Sequence, residues 1–139
     1  MATKDTGPAP FVVDIEALTL ANENFRTAVW TGEYFQMTLM TIPIGGEVGL
    51  EVHPDTDQFL RLEQGKAKVR MGAAEDRLDK EWNAADDWSI IVPAGTWHNI
   101  INVGDEPLKL YSIYAPPHHA HGTVHRTHAE AMAAEEAEH

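Results

Sequence analysis

The chain has 139 residues, no cysteine, and 22 acidic against 10 basic side chains, for a net charge of -12. This length fits one domain with its own core, and the missing cysteines exclude disulfides and thiolate metal sites. The charge excess repels phosphate backbones and anionic lipid, so neither nucleic acid nor a membrane surface is an expected partner.

Residues 1–10 are polar and carry Gly7, Pro8 and Pro10, which reads as a flexible amino-terminal arm. The start Met1-Ala2-Thr3-Lys4-Asp5 has no apolar run behind it, so no signal peptide is expected and the cytoplasm is the default location. Phe11-Val12-Val13 reads as a short strand, and Ile15, Leu18 and Phe25 mark a helical turn from Asp14 to about Arg26. Apolar alternation then predicts strands over 28–43, 47–53, 58–63, 66–72, 88–92, 97–103 and 108–115. Turn residues separate them at Gly45-Gly46, Gly65, Gly72, Asp86-Asp87, Gly95 and Gly104-Asp105. Asp87 stands where a glycine is common, and aspartate tolerates the left-handed backbone such a turn asks for. Many short strands with this punctuation make an all-β sandwich or barrel, here over residues 11–117. Residues 118–139 form a tail rich in His, Ala and Glu, with Glu130, Glu135, Glu136 and Glu138 along a solvated helix or frayed end.

Two motifs carry the chemistry. The first runs from Gly45 through Glu51, His53 and Gln58 to Gly65; the second is Pro93-Ala94-Gly95-Thr96-Trp97-His98, then Asn102 three residues on. Residues two apart on a strand share a face, with Cα atoms about 6.5 Å apart, so Glu51 and His53 can address one ion. Gln58 is five residues past His53, but Pro54-Asp55-Thr56-Asp57 is a turn that resets the parity. His98 comes from a later strand. Asp57 is a second candidate if that turn is one residue tighter.

The motifs resemble those of the cupin superfamily, in particular its small single-domain members of the conserved-barrel type. The resemblance implies a double-stranded β-helix, or jelly-roll barrel, holding one divalent ion. Most such proteins use three histidines and a glutamate. Here Glu51 stands at a usual histidine and Gln58 at the usual glutamate, so the carboxylate has changed position. The implied metal ligands are Glu51, His53, His98 and Gln58, the last a neutral carbonyl ligand or a partner for bound water. Iron, manganese, nickel, zinc or copper suits imidazole and oxygen donors, and two imidazoles with one carboxylate leave open positions on iron.

Six of the eight histidines fall in residues 118–139, among them His118, His119, His121, His125, His128 and His139. They read as a polar segment closing one barrel end, and secondarily as a place for a stray transition metal. By strand parity Gln58, Leu60 and Leu62, then Ala67, Val69 and Met71, then His98, Ile100 and Asn102 face inward. Lys66, Lys68 and Arg70 face out, which leaves a mostly apolar interior with few cations. Phe59, Trp97, Ile101 and one of Tyr111 or Tyr114 fall on the outer face, where they pack a second sheet or a homodimer interface. The expected function is a metal-dependent enzyme on a small organic molecule, with dioxygenase, isomerase or lyase chemistry. The alternatives are a non-catalytic ligand-binding or sensing barrel, and a sugar-phosphate isomerase resembling those for mannose 6-phosphate. The few inward cations weigh against a phosphorylated sugar. No residue is assigned as a catalytic base.

Overall fold

A computed structural model describes residues 4–138, with side chains described through Glu135. Met1, Ala2, Thr3 and His139, and the side chains of residues 136–138, lie outside the described residues, and with them the signal-peptide expectation and part of the acidic tail. Helix α1 (Ile15–Ala21) is followed by β1 (Arg26–Thr31), β2 (Gln36–Ile42), β3 (Asp57–Gln64), β4 (Lys66–Gly72), β5 (Lys80–Ala85), β6 (Ser89–Val92), β7 (Trp97–Asn102), β8 (Leu108–Ala115) and β9 (Val124–His125), and helix α2 (His128–Glu138) ends the chain. A six-stranded sheet in the order β6-β3-β8-β2-β1-β9 faces a three-stranded sheet in the order β5-β4-β7. Every strand pair is antiparallel, which gives the expected jelly roll. Among the described residues no helix is long and apolar enough to cross a membrane.

The strand pattern follows the predicted alternation with five departures. The span 28–43 breaks at the Gly32–Phe35 turn, closed by Gly32 N–H donating to Phe35 O at 2.9 Å, and becomes the hairpin β1–β2. The helical turn stops at Ala21, and the strand starts at Arg26, two residues earlier than read. Residues 47–53 form no strand and join the small sheet through two isolated bridges, Glu47 to Ile101 and Glu51 to His98, and through Gly49 N–H donating to Asn99 Oδ1 at 2.9 Å. Phe11-Val12-Val13 pairs with nothing, and Val12 is fully exposed. β5 was not foreseen because four of its six residues, including Trp82, are exposed, so no apolar alternation marks it.

Inward parity on β3, β4 and β7 is as expected: Leu60, Leu62, Ala67, Val69, Met71 and Ile100 are buried in one core. Each such large side chain contributes roughly 1.5–3 kcal/mol on leaving water. A bulge between Ala28 and Trp30 resets β1. Tyr114 faces inward and is 1 % exposed, so Tyr111 is the outward tyrosine. On the outer face of the large sheet, ladder partners form an apolar row across five strands: Ile91–Phe59–Ile113–Met37–Trp30. Asp87 has φ 74°, the left-handed turn expected of it.

The amino-terminal segment lies along β1 from Lys4 on. Thr6 N–H donates to Val29 O, and the Asp5 carboxylate accepts from the Thr31 N–H and hydroxyl and from the Gly7 and Gly122 amides. The carboxyl-terminal stretch also packs on the barrel: β9 pairs with β1, and Ala131 of α2 belongs to the core.

Candidate metal centre

The two motifs are tied together backbone to backbone. Glu51 and His98 exchange both N–H···O bonds at 2.9 Å, and Gly95 N–H donates to His53 O at 2.9 Å. Gly95 has φ 80°, a conformation glycine adopts without penalty; the turn it allows aims its amide at His53. The Asp57 carboxylate accepts from Ala94 N–H at 2.8 Å. Asp57 is exposed and engaged in this turn, so it is not the alternative ligand its spacing allowed.

The result is convergence. One ligand atom each from Glu51, His53 and His98 lies within 4.8 Å of the others, a group that could hold a metal ion. His53 Nε2 is 3.4 Å from Glu51 Oε2, and the His53 and His98 rings are 5.4 Å apart. His98 Nδ1 sits 3.0 Å from Thr96 O. A ring nitrogen facing a carbonyl carries the proton, so Nε2 keeps its lone pair, the arrangement that orients histidine ligands. Both His53 nitrogens and Gln58 Oε1 are buried with no hydrogen-bond partner. Gln58 is fixed by donating its amide to Ser112 Oγ at 2.8 Å, which leaves that carbonyl oxygen spare. Orphaned buried polar atoms are rare and costly, and one lone-pair nitrogen of His53 is free to face a cation held by the group.

The electrostatics agree. Burial pushes the Glu51 carboxyl up to about 7, against the pull of the Arg26 charge. Burial, then the neighbouring His118 and His98 and the Arg26 charge, drives His53 down to about 3. Burial also lowers His98, opposed by its bond to Thr96. The imidazoles are thus held neutral, the form that binds metal, and a nearby cation would offset the cost of ionising Glu51.

Two features went unseen in the sequence. Arg26 is 1 % exposed and its charge bears on Glu51, His53, Tyr114 and His119, so the interior holds a cation that strand parity on β3, β4 and β7 did not reveal. Its register opposite Met40 could have been found only by placing the start of β1. The tail also comes closer than expected. The His118 ring is 4.2 Å from that of His53, and His118 and His119 N–H groups both face Gln36 Oε1. His119 and His128 are half-buried and His125 buried; among the described residues only His118 and His121 match the exposed reading.

A two-sheet antiparallel barrel with histidines from both motifs on its inner face defines a class, and the comparisons agree. The cupin domain family matches residues 38–114, and the chain belongs to that family. It is 60% identical over 133 residues to the protein YrkC of Bacillus subtilis, covering 96% of this chain and 72% of that protein. The crystal structure of BH2720 from Bacillus halodurans superimposes with a TM-score of 0.93 at 56% identity, covering 94% of this chain and 99% of that one. A solved Bacillus subtilis oxalate decarboxylase, described with Mn(II) centres, matches at TM-score 0.57 and 28% identity over 63% of this chain and 23% of its own.

Proposed function

We propose that this chain is a metal-dependent enzyme acting on a small organic molecule, with Glu51, His53 and His98 as metal ligands and Gln58 Oε1 as a fourth, neutral donor. The observation that carries the reading is the convergence of three ligand atoms within 4.8 Å around an imidazole whose nitrogens have no other partner. The likeness to a decarboxylase with Mn(II) centres supports a metal in such a barrel. A bound divalent ion would supply Lewis acidity toward a substrate oxygen at positions the protein leaves open.

The chain's own groups orient and exclude. Thr96 O holds the His98 ring, and Ser112 holds Gln58. The buried Tyr114 ring meets His53 edge-on at 5.8 Å. Burial raises its phenol above the usual range, so Oη keeps its proton, and it is held by Ser112 and Thr38. Protein purified without nickel affinity resin should carry one ion per chain by mass spectrometry of the metal. His98→Ala should lose it while keeping the β-sheet circular dichroism; unchanged stoichiometry would refute the assignment. A bound ion with no turnover across small acids, enols and aromatic compounds would leave the binding-module reading instead.

The reading includes a homodimer. The outer row from Ile91 to Trp30 ends in an Ile91 that is 65 % exposed, and Phe35 extends it, its ring tilted against that of Trp30 at 4.9 Å. Contiguous apolar faces of this kind favour association.

A further inference from the structure

Arg26 is an inward cation that makes no ion pair among the described residues, its charge reaching the Glu51 carboxyl only through space. It is 1 % exposed. Its Nη1 lies 3.1 Å from His125 Nδ1, and its guanidinium carbon is 5.3 Å from the centre of the Phe25 ring. Nε has no hydrogen-bond partner, and no carboxylate among the described residues forms an ion pair with it. A buried charge in this state is expensive, and such charges persist where something compensates them. Imidazoles do not: burial holds His119 far toward its neutral form, and the Arg26 charge drives it further. His119 Nε2 is a second buried atom without a partner.

We propose that Arg26 anchors the carboxylate of a small organic acid bound inside the barrel beside the Glu51–His53–His98 group. The planar guanidinium matches a planar carboxylate through two parallel hydrogen bonds. A phosphate dianion would call for further inward cations, yet Lys66, Lys68, Arg70 and Arg61 are all on outward, partly or fully exposed positions. The proposal deepens the metal-enzyme reading and rests on it for the acid's second point of attachment; the demand of Arg26 for an anion stands apart from the metal.

The test uses the full chain, metal-loaded and chelator-treated, titrated calorimetrically with acetate, pyruvate, malonate, acetamide and inorganic phosphate. A carboxylate should bind the native protein, and acetamide should not. Arg26→Gln and Arg26→Met should weaken binding at least about tenfold, the scale of a charge-assisted hydrogen bond, and Arg26→Lys by less. Without ligand, Arg26→Met should melt at or above the native temperature, because it removes a buried charge without an ion pair; a residue kept only for packing would do the reverse. Equal carboxylate affinity in native protein and Arg26→Gln would overturn the proposal, as would phosphate binding more tightly than every carboxylate. If the metal reading alone is wrong, chelator-treated native protein still binds carboxylate in an Arg26-dependent way. If the anchor alone is wrong, the ion remains at one per chain while Arg26→Gln changes nothing.

Discussion

Asn102, the last fixed residue of the second motif, sits 3 % exposed at the end of β7. Its amide nitrogen lies 3.0–3.2 Å from the carbonyls of Ile42, Pro43 and Glu106, and its oxygen accepts from Gly104 N–H at 2.9 Å. One side chain thus ties the end of β2 to the β7–β8 turn, far from the ligand atoms. Asn102→Ala should cost about 2 kcal/mol, because several backbone groups lose a partner; urea denaturation measures it, with the metal content unchanged. Gly95 differs in kind. A Cβ there would meet nothing within 4 Å, so Gly95→Ala should cost about 1–2 kcal/mol through the left-handed backbone alone, again by urea denaturation. The grouping of Glu51, His53 and His98 was legible in the two motifs because strand parity and one turn let side chains distant in sequence address one point. Asp57 was legible as a turn residue but not as the acceptor for Ala94, since nothing local names a partner 37 residues away.

The amino-terminal segment, β1 and the β9 approach meet at Asp5, whose side chain is 1 % exposed. Burial raises its carboxyl, but the bonds from Thr31, Gly122 and Gly7 and the nearness of His121 outweigh that and hold it below the usual carboxylate range. A depressed folded-state value contributes stability above the unfolded value and loses it as pH falls through the folded one. Native protein should therefore lose this contribution below about pH 4, where carboxylates protonate. Asp5→Asn should start less stable and show a flatter acid limb; thermal melts from pH 6 to 3 test both, and parallel limbs would contradict the assignment. The strands most visible in sequence, β3, β4 and β7, bury one face cleanly. β5, exposed on most positions, and β1, with its bulge after Ala28, offered no such rhythm. That is why Arg26 escaped notice: a cation facing a core breaks the rule by which parity was read.

At the scale of the molecule, an all-β sandwich or barrel followed from strand count and punctuation and the jelly roll from the motif resemblance, whereas the packing of residues 118–135 did not, since Ala and Glu in a polar stretch give no apolar stripe. The outer apolar row makes its own prediction. Phe59→Glu, at the middle of the Ile91–Trp30 row, should convert a dimer to a monomer in light scattering after size exclusion, leaving the core intact because Phe59 faces outward. A native protein that is already monomeric would dispose of the dimer. The return of the chain over the barrel mouth has a practical side. His118 lies against His53, and Glu135 is near enough to Glu51 for its charge to oppose ionisation there. Whatever is fused to, or clipped from, the carboxyl end is therefore felt at the ligand atoms: a chain shortened after Pro117 would unroof them, and a terminal polyhistidine would compete for the very ion one hoped to count.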